Sequence, residues 1–338
     1  DYSKVEYVNN RTKVCIICPD HGEFWQTPAM HVNEQQGCPS CGHTTSKSEL
    51  EIIDFIKSFY KGEIKHRDRS IIRPREIDIY IPEFQIAFEY NGLRWHSELF
   101  DKDKYYHLSK TEECLKKGVS LIQIYEDEWE LHKDIVKSKI RHLLHDEGSR
   151  CKVRSEKCFI CRLTYKEASD FLNKYHIQGS AVATVYMGAF YDKTLIGVML
   201  FMRQNDYWIL NRFATHSGYL CYGLGGKLLK RFVTEHNPNE IVSFADRRWT
   251  IDSENNLYTK LGFRLTQILP PNYQYVLNGR HRFHKFNFRK NKIMQYFPNA
   301  QLTKDMTEKE MCEKVGLQRI WDCGLYRYAW LAKNCIEC

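Results

Sequence analysis

Acidic side chains and one histidine between residues 48 and 96 are the groups in this chain best suited to chemistry. Two short strand-like runs each hold one carboxylate between apolar residues. A helix start precedes them, and the histidine follows the second run. The four residues are Glu49, Asp78, Glu89 and His96. Carboxylate oxygens bind hard divalent cations, and an imidazole takes up a proton near neutral pH. We therefore expect Asp78 and Glu89 to bind Mg²⁺ or Mn²⁺ and to activate water for hydrolysis.

Structural roles are also open to these residues. Glu49 could complement the N-terminus of a helix, and His96 could pack against the neighbouring Trp95. Asp78 lies between two isoleucines, where a carboxylate without a partner is costly. A second group of catalytic candidates comprises His107, Lys110 and Asp127. A surface strand end is an equally good interpretation of Asp127.

Two ligand pairs near the N-terminus have the spacing of a closed zinc site. Each pair has its members three residues apart, and a loop between the pairs could return the chain to complete a tetrahedral site. The predicted ligands are Cys18, His21, Cys38 and Cys41. Cys15 could replace one of them or be a buried strand thiol, and a site without metal remains the alternative. The 13 cysteines are spread irregularly over a long chain, which favours reduced thiols over a disulfide framework.

Basic and aromatic residues alternate in a segment that carries no acidic side chain between residues 255 and 304. The formal net charge of the chain is +8, which would attract a polyanion. Aromatic rings between the cations could stack on bases. We expect double-stranded DNA as a partner, with a solvated basic face as the alternative. The predicted contacts are Arg280, Arg282, Lys285, Arg289, Lys290 and Lys292.

Residue patterning predicts a mixed α/β chain of two or three domains, with 338 residues and 43% hydrophobic content. Helical spacing occurs at 47–60, about 102–117 and about 133–144, and strand-like runs occur at 77–81, 85–90 and 119–125. Near the C-terminus, residues 319–324 and 326–328 are typical of a hairpin. No apolar run reaches the roughly 18 to 20 residues of a membrane span.

The combined motifs of the first half resemble phage-encoded homing endonucleases of the EDxHD type. Their core is similar to very short patch repair endonucleases of the PD-(D/E)XK superfamily. The resemblance covers residues 18 to about 145 and includes the Ser48-x-Leu50 helix, Glu76 to Tyr80, Phe88 to Gly92, Trp95-His96, Tyr106-His107, Lys110 and Asp127 to Trp129. It implies a treble-clef-like zinc element and a nuclease core.

That resemblance also implies roles for individual residues. Asp78 would be the main metal-binding carboxylate, Glu49 the acid on the helix, and His96 the general base or water-orienting group. The superfamily often has Lys two residues after the second acid, where this chain has Asn91. This departure shifts the proton-handling role to His96 or Lys110.

The succession of elements between residues 155 and 268 resembles the N-acetyltransferase (GNAT) fold. A glycine-rich turn at Gly223, Gly225 and Gly226 opens a helix, and Leu257 to Phe263 looks like the last motif of that family. Such a turn can present backbone amides to a pyrophosphate. The family usually has Arg or Gln three residues before the first glycine, where this chain has Leu220. We therefore expect a DNA-binding role for this part and do not expect acyl-CoA as a partner.

These interpretations predict an α/β (α+β) chain with four parts. They are a zinc-binding element at 1–45, a nuclease domain at 46–148, a GNAT-like domain at 155–290 and a C-terminal extension at 291–338. The leading function is a site-specific, metal-dependent DNA endonuclease that hydrolyses phosphodiester bonds, located inside the cell, in the cytoplasm of a bacterial host if the chain is phage-encoded. The alternatives are an acyltransferase acting on a nucleobase or a protein, and a non-catalytic DNA-binding protein.

Overall fold

The computed structural model describes residues 1–18, 22–33, 36–38, 46–100, 102–277, 279 and 281–332. The fold is mixed α+β and divides into two compact units, Asp1–Asp54 and Phe55–Cys338. Within the described residues, every helix is too short or too polar to cross a bilayer.

The N-terminal unit is built on an antiparallel pair, β1 (Val14–Cys18) and β2 (Gly22–Gln26). Four of the five β1 residues are buried and give the unit a small apolar core, and the ammonium group of Asp1 donates to the carbonyl of Ile17 at 2.7 Å. A π-helical turn, Ala29–Asn33, follows. Helix α1 (Lys47–Lys57) begins in this unit and contains the boundary with the larger one.

A four-stranded sheet begins the larger unit, in the order β3-β4-β5-β6. The β5/β6 pair is parallel because α2 carries the chain back across the sheet. The sequence predicted the strand at 77–81 with the bounds that the structure has. The elements in chain order are β3 (Lys65–Asp68), β4 (Ile77–Ile81), β5 (Ile86–Asn91), α2 (Tyr106–Lys116), β6 (Ser120–Tyr125), α3 (Glu126–Leu131) and α4 (Lys133–Leu143).

The remaining elements form the second half of the same unit. In chain order they are β7 (Cys151–Arg154), β8 (Phe159–Arg162), α5 (Tyr165–Tyr175), β9 (Val185–Tyr191), β10 (Thr194–Arg203), β11 (Trp208–Thr215), β12 (Tyr219–Tyr222), α6 (Leu224–His236), β13 (Glu240–Asp246), α7 (Leu257–Lys260), β14 (Arg264–Leu269), β15 (Tyr273–Leu277), β16 (His281–His284), α8 (Lys290–Tyr296), α9 (Glu308–Lys314), β17 (Leu317–Trp321) and β18 (Leu325–Leu331).

A seven-stranded sheet in the order β14-β18-β13-β11-β10-β9-β8 organises this half. Its neighbours are antiparallel except β11 and β13, which are parallel. Helix α6 packs on one face, where Phe232 stacks on Phe201 with ring centroids 3.5 Å apart, and α5 packs on the other through Phe171 and Leu172. This half is therefore a seven-stranded mixed sheet with helices on both faces.

Two smaller sheets complete the unit. Strand β12 pairs in parallel with β7, and β15 lies between β16 and β17 in a three-stranded sheet. Strand β18 does not pair with β17. It lies between β13 and β14 in the large sheet, so the hairpin predicted for the C-terminal stretch is wrong.

Candidate functional site

A gap opens between the two central parallel strands of the large sheet. Strands β11 and β13 are paired only from Trp208 to Leu210, opposite Ile241 to Ser243. Beyond that point β11 continues beside β10, and β13 continues beside β18. Asn211 is a β-bulge, because Leu210 is opposite Phe201 and Arg212 is opposite the next residue, Leu200. A bulge increases local twist, which explains why the two strands separate here.

Polar side chains lie where the gap begins. The Ser243 hydroxyl donates to the Leu210 carbonyl at 2.8 Å, and the Tyr258 side chain is hydrogen-bonded to Ser243. Burial raises the pKa of Tyr258, although Ser243 and the nearby Arg212 oppose the shift. The Arg212 guanidinium donates to the Asn211 carbonyl at 2.8 Å. A neutral phenol and a fixed cation therefore lie close to the opening.

The N-terminus of α6 comes directly after strand β12 in the sequence. Gly223 precedes the helix with φ +79°, a left-handed conformation that favours glycine, and no side chain caps the first turn. The backbone N–H groups of a first turn have no partner within their helix and carry partial positive charge. Gly225 is buried against the Phe213 ring of β11. The glycines thus give the helix a close approach to the sheet and an uncapped N-terminus.

A short turn covers part of this N-terminus. Residues 155–158, which we name the strap, connect β7 to β8. The Lys227 ammonium on α6 donates to the carbonyls of Ser155 at 2.8 Å, Glu156 at 3.3 Å and Cys158 at 2.6 Å. A Cβ atom on Gly223 would lie 2.9 Å from the Ser155 hydroxyl oxygen. The strap is therefore held against the first turn of α6.

Several of the residues predicted to be catalytic form a second, buried polar cluster. Lys110 on α2 forms an ion pair with Glu89 on β5, and both side chains are buried. Burial alone would lower the pKa of Lys110, but Glu89 and Asp78 raise it above its ordinary value. One Asp78 carboxylate oxygen accepts from the Tyr90 amide at 2.8 Å. The ammonium therefore interacts with both carboxylates, through an ion pair with Glu89 and a longer-range attraction to Asp78.

Two histidines border the same cluster. His96 and His107 stack with ring centroids 5.5 Å apart. Burial, with a contribution from Lys110, lowers the pKa of His96 to about 3, and burial also lowers the pKa of His107 well below its ordinary value. Both imidazoles are therefore neutral at pH 7. The structure thus brings Asp78, Glu89, His96, His107 and Lys110 together.

The other two predicted catalytic residues lie elsewhere. Glu49 is a buried residue in the first turn of α1, in the N-terminal unit. Asp127 accepts from the Arg282 guanidinium at 2.8 Å, and the neighbouring Glu128 binds both Arg282 and Arg248. Burial alone would raise the pKa of Glu128, but the two guanidinium groups lower it to about 2. Asp127 is therefore part of an ion-pair network.

The side chains predicted to contact DNA have mixed surroundings. The Arg282 guanidinium is buried in that network and lies 4.0 Å above the Tyr125 ring centroid. Lys285 donates to Asn272 at 2.8 Å, and Arg289 lies 3.8 Å from the Glu308 carboxylate. Lys290 and Lys292 are exposed on α8, and Arg280 lies outside the described residues.

The predicted metal ions need ligand groups that the described residues do not form. Within that part of the chain, no group of three or more His, Cys, Asp or Glu side chains is arranged to hold a metal ion. Cys18 and Cys38 are buried, whereas His21 and Cys41 lie outside the described residues. Glu89 is neutralised by Lys110 instead of facing a second carboxylate across an ion. The expectations of a structural Zn²⁺ and of a catalytic Mg²⁺ or Mn²⁺ are therefore corrected as far as the described residues extend.

Comparison by sequence finds similarity over short parts of the chain. Residues 1–42 match a family described as "Protein of unknown function (DUF723)". A 43-residue stretch is 44% identical to the uncharacterized protein R892 of Acanthamoeba polyphaga mimivirus. That stretch is 13% of this chain and 16% of the mimivirus protein.

Comparison of structures finds acetyltransferases. A GNAT family acetyltransferase from Elizabethkingia anophelis with acetyl-CoA bound is 15% identical, with a TM-score of 0.28, and the match covers 52% of this chain and 99% of that one. The ribosomal-protein-S18-alanine N-acetyltransferase of Escherichia coli is 14% identical, with a TM-score of 0.30 and coverage of 52% and 97%. A Bacillus subtilis acetyltransferase in complex with CoA is 15% identical, with a TM-score of 0.27 and coverage of 52% and 98%.

These findings overturn the leading functional expectation. The similar structures are acetyltransferases, and the described residues hold no metal-ligand group. The expectation of a Mg²⁺-dependent DNA endonuclease, with double-stranded DNA as partner, is corrected. So is the expectation that acyl-CoA is not a partner, since two of these structures contain acetyl-CoA or CoA.

Sequence reasoning missed the residues at the strand gap. Ser243 and Arg212 lie in apolar strand-like runs, and no local pattern marks Asn211 as a bulge. Tyr258 belongs to the quoted motif at Leu257 to Phe263, and that motif was the one available signal for the site.

Proposed function

We propose that the second half of this chain binds an acyl-CoA and transfers its acyl group to an amine, as on a nucleobase or a protein. The gap between β11 and β13 beyond Leu210 and Ser243 carries this proposal. The GNAT-like part would extend from about residue 155 to β18, because β18 lies inside the large sheet. Domain limits at 148 and 290 stay predictions.

Backbone groups at the gap are suited to an extended, amide-containing ligand arm. Where two strands stop pairing with each other, N–H and C=O groups on their facing edges need another partner. The pantetheine part of CoA carries two amides and could supply such partners. The uncapped first turn of α6 would attract the pyrophosphate, because its N–H groups and the helix dipole favour negative charge.

Acyl transfer forms a bond between the amine nitrogen and the carbonyl carbon and breaks the bond from that carbon to sulfur. The departing thiolate needs a hydrogen-bond donor, and the amine must lose a proton to solvent or a base. Burial keeps the Tyr258 hydroxyl protonated at neutral pH. The Ser243 proton is donated to the Leu210 carbonyl, so the Tyr258 hydroxyl donates to Ser243 in the free protein and would transfer this hydrogen bond to the thiolate, a charged and stronger acceptor, during the reaction. We assign Tyr258 the role of donor to the leaving sulfur.

The test is acetyl-CoA binding by isothermal titration calorimetry, with a charge placed on the first turn of α6. A Cβ on Gly226 would meet only an ordinary contact, Leu261 Cδ2 at 3.8 Å. Gly226→Asp adds a carboxylate that favours the helix but repels a pyrophosphate. Gly226→Asn is the neutral control of the same size.

Wild type and Gly226→Asn should bind acetyl-CoA, and Gly226→Asp should bind about tenfold more weakly or worse, which is about 1.4 kcal/mol. The rate of acetyl transfer to a panel of amines is measured as the release of free CoA. This rate should fall in Tyr258→Phe, while the affinity for acetyl-CoA is retained. A wild-type chain that does not bind acetyl-CoA at millimolar concentration would refute the proposal.

A further inference from the structure

Two cysteine thiols from distant parts of the sequence are in contact beside the strap. The Sγ atoms of Cys158 and Cys221 lie 3.6 Å apart, although 63 residues separate them. Cys158 ends the strap and is buried, and Cys221 is a partly exposed residue of β12. A disulfide requires about 2.05 Å between sulfur atoms. A movement of about 1.5 Å by side-chain rotation would therefore join them.

The backbone around the two thiols is already held in register. Strand β7 leads into the strap, and its pairing with β12 places Cys221 opposite Val153. Two residues after Cys221, the chain reaches Gly223 and turns into α6. A bond between the sulfurs would therefore tie the strap to the strand that enters the helix.

The strap already contacts the turn that would receive the pyrophosphate. Lys227 binds three of its carbonyls, and Ser155 lies against Gly223. These contacts are noncovalent, so the strap can move aside at a modest cost. A disulfide at its last residue would remove that freedom.

We propose that Cys158 and Cys221 form a reversible disulfide under peroxide, which locks the strap over the N-terminus of α6 and hinders acyl-CoA binding. The effect on acyl-CoA rests on the proposed function, whereas formation of the bond does not. One thiolate attacks hydrogen peroxide and becomes a sulfenic acid with loss of hydroxide. The second thiolate then attacks that sulfur, forms the S–S bond and expels hydroxide. The two hydroxides take the two thiol protons, so one peroxide is reduced to two waters.

Oxidation should be slow in the folded protein. Burial, with the neighbouring Cys158, raises the pKa of Cys221 to about 12, which leaves little thiolate at neutral pH, and only thiolate reacts. Lys227 acts in the opposite direction and Glu156 in the same direction as burial. Cys151 on β7 is exposed and provides an internal check that the oxidant has acted.

The first experiment detects the bond in the full chain. The protein is treated with hydrogen peroxide, free thiols are alkylated with N-ethylmaleimide, and peptides are examined by mass spectrometry without reduction. We expect a peptide pair linked through Cys158 and Cys221 that is absent from Cys221→Ser and retained in Cys151→Ser. Oxidised Cys151 in a wild-type sample without that linked pair would overturn the proposal.

The second experiment compares acetyl-CoA affinity before and after oxidation. We expect at least a tenfold loss in wild type that dithiothreitol reverses, and no loss in Cys221→Ser. A linked protein with unchanged affinity would overturn the lock. If neither form binds acetyl-CoA, the proposed function fails. Hydrogen exchange then tests whether the disulfide restrains the strap. Amides of residues 155–158 should then exchange at least tenfold more slowly in the oxidised form, and equal rates would contradict it.

Discussion

Ser243 and Leu210 are the last residues at which β13 and β11 are paired, and the Ser243 hydroxyl adds a side-chain hydrogen bond to the Leu210 carbonyl at that point. The bulge at Asn211 follows at once. The hydroxyl therefore fixes the position at which the sheet opens, and it also holds Tyr258 there.

Ser243→Ala should lower the free energy of unfolding by about 1 kcal/mol, because a buried hydrogen bond to a backbone carbonyl is lost. Chemical denaturation measures this change. Under the proposed function, acetyl transfer should fall more than acetyl-CoA affinity, since Tyr258 loses its fixed position. Ser138→Ala, at a partly exposed site on α4, is the control and should change stability by less than about 0.5 kcal/mol. Equal effects of the two variants would contradict the prediction.

The buried ion pair between Glu89 and Lys110 should be structural, since it joins α2 to β5. Lys110→Ala should cost about 3–5 kcal/mol of unfolding free energy because it leaves a buried carboxylate without its cation. The double variant Glu89→Leu with Lys110→Met should recover most of that loss, because the charges are removed together. A double variant as unstable as Lys110→Ala would contradict this reasoning. Urea denaturation of all three variants provides the data.

The ion pairs of Glu128 should make the protein sensitive to acid. The folded pKa is about 2 and the ordinary value is 4.5, so the unfolded chain binds the proton more readily. The stabilisation is then fully present above pH 4.5 and is lost as the pH falls from 4.5 towards 2. The shift corresponds to about 3 kcal/mol. Wild type should lose stability over this window in denaturation curves, and Glu128→Gln should be less stable at pH 7 with a flatter dependence on pH.

Gly223 and Gly226 form a matched pair for backbone strain. Gly223→Ala forces alanine into φ +79° and brings its Cβ within 2.9 Å of the Ser155 oxygen, so it should destabilise the fold by about 1–2 kcal/mol or more. Gly226→Ala lies in the helix with only an ordinary contact, and it should stabilise by up to about 1 kcal/mol. Thermal unfolding compares the two, and shifts of the same sign would contradict the assignment.

Local sequence patterns predicted the helices and strands that are determined by residues close together in the sequence. The strand at 77–81 and the helix that opens after Gly223 are set by apolar spacing and a turn glycine, and both have the expected positions. The grouping of Asp78, Glu89 and His96 was also visible from neighbouring strands. The ion pair that neutralises Glu89 was not visible, because the ammonium of Lys110 comes from helix α2.

Long-range pairing was beyond those patterns. Arg282 was predicted to face DNA, but its carboxylate partner Asp127 lies 155 residues earlier. Cys158 and Cys221 are 63 residues apart in the sequence, yet their sulfur atoms are in contact. In each case the packing of whole helices and strands determines the partner. The local sequence around the charge or the thiol does not identify it.

The position of β18 has a consequence for how the chain folds during synthesis. This strand lies between β13 and β14, so residues 325–331 must leave the ribosome before the seven-stranded sheet can form. Until then the nascent chain exposes unpaired strand edges, which are sites of aggregation. Translation that stops before Leu325 would therefore release a product prone to aggregate, for a chaperone or protease to remove.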